Sequence, residues 1–97
     1  MNVKELKDAL SKGENILLLD IREKEEIEET GEKIEGSQNM PMSEIMEQEI
    51  QGELPKDKKI ITFCRSGGRS QLVVQLFEVK GYDIDHLEGG IEEWKYQ

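Results

Sequence analysis

The stretch ITFCRSGGRSQL, Ile61 to Leu72, holds the chain's one cysteine, Cys64, at the end of an apolar run. Behind it come Arg65, Ser66, Gly67, Gly68, Arg69 and Ser70. A thiol that only fills a core needs none of these neighbours. A thiol that must stay ionised uses all of them. The two glycines permit positive φ, which lets successive backbone N–H groups turn inward as an anion-binding nest. A helix beginning around Ser70 would point its unpaired N–H donors and its positive end at the same spot. Such surroundings lower a thiol's pKa below its free value of about 8.5, so the thiolate is populated near neutrality. The arginines on either side of the glycine pair add charge that can attract and orient an anion. The stretch therefore predicts Cys64 as an activated nucleophile, with Arg65, Ser66, Gly67, Gly68, Arg69 and Ser70 as its substrate-binding loop.

The rest of the chain has to hold that loop in place. NILLLDI and IITFC are continuous apolar runs, the pattern of strands covered on both faces. NVKELKDALSKG reads as a helix capped by Asn2 with Glu5 three residues on; Val3, Leu6 and Leu10 share one face and Gly13 is the stop. EKEEIEET predicts a short helix ending near Gly31. SQNMPM is expected to be extended, because Pro41 biases its predecessor away from helix. SEIMEQEIQ predicts another helix, capped by Ser43, with Ile45, Met46 and Ile50 facing inward. From Ser70 onward, Leu72, Val73, Leu76, Phe77 and Lys80 fall at helical spacing, and Gly81 ends that helix. YDIDHLEGG reads as a third strand running into a glycine turn, and IEEWKYQ as a terminal helical turn. Strands alternating with short helices predict βαβ units and a mainly parallel sheet. Cys64 then sits at the carboxyl end of a buried strand, the edge where open α/β sheets bind ligands.

Composition narrows the partners. The 97 residues suit one domain over residues 1–97, with no repeat, low-complexity tract or linker. Thirteen basic against 22 acidic side chains leave a net charge of −9, which argues against nucleic acid or an anionic membrane surface. REKEEIEETGEKIEG and SEIMEQEIQGEL read as solvated acidic surface. On so acidic a chain the positive field at an anion site must come from local groups, which makes Arg65 and Arg69 informative. No apolar run approaches the roughly 20 residues of a membrane span. MNVKELKDAL lacks the apolar region of a signal peptide, and one cysteine rules out an internal disulfide, so a cytoplasmic location is expected. One cysteine and one histidine cannot assemble a zinc site, and neither metal nor cofactor is expected.

CRSGGRS resembles the active-site loop of the rhodanese-like sulfurtransferases: a cysteine, four residues, an arginine, then Ser or Thr. LLLDIREKEEIEETGEKIEGSQNMP is similar to that family's first signature, an Asp-x-Arg followed by an acidic helix, a turn and a proline. LEGGIEEW is similar to its carboxyl-terminal signature. The three motifs keep the family's order and spacing over nearly the whole chain. The resemblance implies an α/β rhodanese-like fold, a central, mainly parallel five-stranded sheet with helices on both faces. It also implies a sulfurtransferase in which Cys64 takes a sulfane sulfur as a persulfide. The donor would be a small anion such as thiosulfate, or a persulfide. The acceptor would be cyanide or a thiol, with a thioredoxin-like or sulfur-carrier protein in that class. Lys33 stands where the family usually has His, and Ser37 where it usually has Ala; both are expected to affect packing of the turn rather than chemistry.

Sulfur transfer requires no general acid or base, in keeping with a chain that offers Cys64 no convincing His/Asp partner. The leading rival is a cysteine-dependent phosphatase or arsenate reductase, whose loops resemble Cys, five residues, then Arg. Only four residues separate Cys64 from Arg69, which favours sulfur. A non-catalytic interaction module on the same fold is a second rival, and the intact cysteine argues against it. Asp20 and Arg22 are expected as a buried or half-buried ion pair tying strand to loop, with a place at the active-site rim as the alternative. His86 is expected as a structural residue, with a catalytic base as the alternative. Trp94 is expected to cover a core or an edge, and Met40, Met42 and Met46 to fill the core. Gly89 and Gly90 are expected to make a turn through which backbone approaches the thiol loop.

Overall fold

The computed structural model describes residues 1–97. In chain order its elements are α1 (Val3–Ser11), β1 (Ile16–Asp20), α2 (Lys24–Thr30), β2 (Gln38–Asn39), α3 (Met42–Ile50), β3 (Lys59–Phe63), α4 (Gly68–Glu78), β4 (Ile84–His86) and α5 (Gly90–Tyr96). The two apolar runs become the central strands, β1 and β3, paired in parallel from Ile16 opposite Lys59 to Asp20 opposite Phe63. β2 lies outside β1 and β4 outside β3, and every pairing is parallel. Parallel neighbours need crossovers, and helices supply them.

Alternation along the central strands divides the core in two. Leu17, Leu19, Ile60 and Ile84 face one way and pack with Ile45 of α3 and with Val73 and Phe77 of α4. Leu18, Ile61 and Phe63 face the other way and pack with Val3 and Leu6 of α1 and Ile91 of α5. Each sheet face is thus sealed by its own helices. α1 starts as the sequence requires: Glu5 N–H donates to Asn2 Oδ1 at 2.8 Å and Asn2 N–H to Glu5 Oε1 at 2.9 Å, a reciprocal capping box. Met40 and Met42 pack against the first core, and Trp94 lies at the margin of the second with the Lys7 ammonium 5.0 Å from its ring centre. No helix is long and apolar enough to cross a membrane.

Several expectations need correction. The sheet has four strands, not five. Beside β4 lies Met1, whose amino group donates to the His86 carbonyl at 3.2 Å and whose carbonyl accepts from Glu88 N–H at 2.9 Å, two bonds from a single residue that do not make a fifth strand. Ser43 does not cap α3; the helix is entered from Pro41, and Glu23 of the preceding segment accepts from Ser43 N–H at 3.2 Å and Ser43 Oγ–H at 2.7 Å. Leu10, Met46, Ile50, Leu72 and Leu76 are exposed rather than inward. Each lies on the flank of a helix whose buried stripe is narrower than its apolar periodicity, and in α1 Ala9 is buried while Leu10 is not.

The carboxyl end of β1 is fastened by a buried ion pair. Asp20 and Arg22 are 1% and 2% exposed. Arg22 Nε donates to Asp20 Oδ1 at 3.0 Å and Nη2 to Oδ2 at 2.7 Å, a fork on a carboxylate. The same Nη2 reaches the Glu32 carbonyl at 2.8 Å, which ties the segment after α2 to the strand. Asn39 Nδ2 completes the junction by donating to the Asp20 and Arg22 carbonyls. Removing one partner strands a buried charge, so Asp20→Asn is expected to lower unfolding free energy by about 3 kcal/mol. The midpoint of chemical denaturation measures this, and a loss under about 1 kcal/mol would contradict it. At the other edge, Gly90 (φ 62°) lies so close to the thiol loop that an added Cβ would sit 2.5 Å from the Cys64 and Arg65 carbonyl oxygens. Gly90→Ala combines a left-handed backbone with a clash against main chain, and is expected to cost about 3 kcal/mol on the same measurement.

Candidate active site

Cys64 follows the last residue of β3, and α4 begins at Gly68 rather than near Ser70. The loop between them turns at Gly67, which has φ 115° and ψ −19° and leads into the helix. Gly67 alone takes positive φ; Gly68, expected to share that role, is the helix's first residue. A Cβ at 67 would meet nothing nearer than the Gly89 nitrogen at 3.5 Å, so the dihedral rather than crowding calls for glycine there.

The turn aims donors at the sulfur. Gly67 N–H donates to Cys64 Sγ at 3.2 Å, and the Ser70 hydroxyl lies 3.7 Å from Sγ while donating to the Gly67 carbonyl at 3.0 Å. On ionisation of the thiol, that hydroxyl can turn its hydrogen to the sulfur. Cys64 is only 1% exposed. Burial pushes its pKa up. The N–H groups of Ser70 and Gly67, the Ser70 hydroxyl and the Ser66 N–H outweigh burial, and the thiol ends below its ordinary range. The donors gather around Gly67 alone rather than around both glycines, with the first turn of α4 beside it.

The arginines are not free. Arg69 places Nη1 and Nη2 on Glu26 Oε2 and Oε1 at 2.6 and 2.7 Å. Glu26 belongs to α2, where its Oε2 also accepts from Glu23 N–H at 2.9 Å. The Arg69 bonds hold the Glu26 carboxyl down to about 2, against an opposing effect of burial. Glu26 in turn raises Arg69, to which the nearby Cys64 sulfur also contributes. Arg65 is exposed, and its Nε donates to Glu92 Oε1 at 2.7 Å. The positive charge expected of these arginines is thus offset by carboxylates from α2 and α5. Sequence reasoning missed both, since they lie 43 and 27 residues away with no spacing to betray them.

The glycine turn performs the backbone approach expected of it. Ile91 N–H donates to the Cys64 carbonyl at 2.9 Å and Glu92 N–H to the Arg65 carbonyl at 3.1 Å, so the start of α5 props the loop from beneath. Beside the loop runs a cleft of about 210 Å³. Three cationic side chains line it (Arg22, Arg65, Lys95) against four carboxylates (Glu26, Glu29, Glu32, Glu92). His86, in β4 opposite Thr62, makes no hydrogen bond to the thiol, and its Nδ1 is buried without a partner. Asp20 and Arg22 bind each other and the adjoining backbone rather than the loop. What the arrangement offers chemically is a buried thiol whose anion is favoured by backbone donors, with no adjacent base.

A family described as "Rhodanese-like domain" matches residues 2–97. The chain is 34% identical over 95 residues to the "Probable adenylyltransferase/sulfurtransferase MoeZ" of Mycobacterium tuberculosis, covering 97% of itself but 24% of that protein. It therefore spans about a quarter of the length of that relative. It is 34% identical over 90 residues to a protein named "Sulfurtransferase" from Allochromatium vinosum, covering 92% of itself and 80% of the relative. Among solved structures, a rhodanese-related protein from Thermoplasma volcanium superposes with a TM-score of 0.85 at 31% identity, over 99% of this chain and 89% of that one. The chain belongs to the rhodanese-like domain family.

Proposed function

We propose that this protein is a sulfurtransferase that moves a sulfane sulfur from thiosulfate or a persulfide donor to a thiol or cyanide, with Cys64 as the nucleophile. The observation that carries this reading is a buried sulfur ringed by N–H donors, with no general acid or base in contact with it. Acyl or phosphoryl chemistry with a poor leaving group needs a proton donor. Sulfur transfer does not. The Cys64 thiolate attacks the sulfane sulfur, the new S–S bond forms as the old bond to sulfur breaks, and the leaving group departs with the electron pair as an anion. An acceptor thiolate or cyanide then attacks the outer sulfur, and Cys64 leaves as the thiolate it began as. The same amides that lower the thiol's pKa would hold the charge of the persulfide. Arg65, Ser66, Gly67, Gly68, Arg69 and Ser70 form the loop that would receive the donor. One thiol and no disulfide suit a reducing cytoplasm, where thioredoxin-like or sulfur-carrier proteins would be available acceptors.

Intact-mass measurement after exposure to thiosulfate or a persulfide is expected to show a gain of about 32 Da, one sulfur atom as a persulfide. Cys64→Ser should fold and lack both the adduct and the transferase activity; activity retained in that variant would overturn the assignment. The pH dependence of alkylation is expected to place the thiol midpoint below the free-thiol value of about 8.5. The sign follows from the donors favouring the anion, so at pH 7 Cys64 should react faster than its exposure alone would suggest. The four residues between Cys64 and Arg69 leave little room and few N–H donors for three phosphoryl oxygens. No Cys64-dependent hydrolysis of p-nitrophenyl phosphate is expected, and its appearance without sulfur loading would favour the phosphatase reading.

A further inference from the structure

The charge balance around the sulfur bears on which donors can approach it. Both Arg69 Nη groups are committed to the Glu26 carboxylate, and the Arg65 Nε is committed to Glu92. Among side chains, with Cys64 ionised, three negative groups (Cys64, Glu26, Glu92) meet two positive ones (Arg65, Arg69), a sum of −1 that the partial positive charge of about half a unit at the start of α4 reduces without reversing. The adjoining cleft, which shares some of these residues, carries three cations against four carboxylates. Neither offsets the −9 of the whole chain. A site made to draw in a small dianion would carry the opposite sign.

We infer that the preferred donor is an organic sulfane-sulfur compound of low negative charge, such as a persulfide R–S–SH, and that Glu26 and Glu92 set this preference against thiosulfate. The inference rests on the sulfur-transfer reading above and narrows its substrate. The dianion must approach against a net negative field, and it must compete with carboxylates that already occupy the guanidinium groups. The Arg65 Nη groups make no bond within the chain, so they can still orient a donor that the field does not repel. In the transfer the Cys64 thiolate pair forms the new S–S bond and the old S–S pair leaves with R–S⁻. The products are Cys64–S–SH and the thiolate, and no oxidant or reductant is consumed.

Glu92 is the specificity position open to testing, because Glu26 also caps α2. Glu92→Gln keeps the shape and removes one charge. Glu78→Gln, at the far end of α4, removes the same charge away from the loop and serves as the control. Thiosulfate, a dianion, and benzenethiosulfonate, a monoanion with equivalent chemistry, are the two donors, and kcat/KM for sulfur loading of Cys64 is the readout. In the unmodified protein the thiosulfate value is expected to rise as sodium chloride increases from about 20 to about 300 mM, because salt screens repulsion. Benzenethiosulfonate should respond less. Glu92→Gln is expected to raise the thiosulfate value about fivefold at low salt and flatten its salt dependence, with about a twofold effect on the monoanion. Glu78→Gln should change the ratio of the two donors little.

A thiosulfate rate that falls with salt in the unmodified protein would mean a positive field and would overturn the inference. So would a Glu92→Gln variant that moves both donors equally, or a Glu78→Gln variant that matches it. Loading of Cys64 by both donors with none of these charge effects defeats this inference alone. Failure of both donors, and of a low-molecular-weight persulfide R–S–SH run beside them, to load Cys64 defeats the sulfur-transfer reading and the inference with it.

Discussion

A sulfur atom almost wholly removed from water is surrounded by donors that favour its anion, and the carboxyl edge of the sheet is built around that opposition. Burial by itself would keep Cys64 neutral. The opposing groups come from backbone: the N–H donors of Ser66, Gly67 and Ser70, with the Ser70 hydroxyl beside them. Backbone donors are effective because they need no entropy-costly side chain to be held still, and because α4 leaves its first N–H groups unpaired in any case. Fixing them requires that the loop hold one shape. Its floor is the pair of bonds from Ile91 and Glu92 N–H to the Cys64 and Arg65 carbonyls, and those bonds require Gly90 to have no Cβ. The shape of the thiol loop therefore depends on Gly90, 26 positions downstream of Cys64.

The side-chain charges act differently. Arg69 is held bidentately by Glu26, and Glu26 also belongs to the capping box at the start of α2. One carboxylate thus joins a helix start to the far side of the thiol loop. With the partly exposed geometry of this pair, its contribution to stability is modest. Because Glu26 is held near 2, whatever the pair contributes is present above the ordinary glutamate range and is lost as pH falls through the low value. Its larger consequence is electrostatic. A guanidinium that neutralises a carboxylate supplies geometry to the site without a net attractive charge. The same holds for Arg65 and Glu92, in a more exposed setting.

The buried pair of Asp20 and Arg22 belongs to the scaffold rather than to this chemistry. It binds the end of β1 to the Glu32 carbonyl and stands beside the Asn39 bonds that draw β2 alongside. β2 is two residues long, too short to define its own register by apolar pattern. Polar bonds from the end of β1 do that work, which is why a weak stretch of sequence still finds a place in the sheet.

Local signals determined much of this protein. Continuous apolar runs marked β1 and β3, Asn2 and Glu5 marked the start of α1, and the pair Gly67 and Gly68 after Cys64 pointed to a nest before a helix, of which only Gly67 takes the positive φ. These depend on neighbours in sequence, where spacing and dihedral preference act directly. The resemblance of CRSGGRS to a known loop added the chemistry. What only the tertiary structure decided was contact between distant segments: the width of each helix's buried stripe, which left Leu72, Leu76 and Ile50 in solvent, and the number of strands. It also decided the charge of the site. Read alone, Arg65 and Arg69 are two cations beside a thiol, and the glutamates of α2 are one acidic run among several. Folding brings Glu26 and Glu92 onto those arginines across 43 and 27 residues, and no periodicity in the chain encodes a pairing made by the packing of separate helices against one loop.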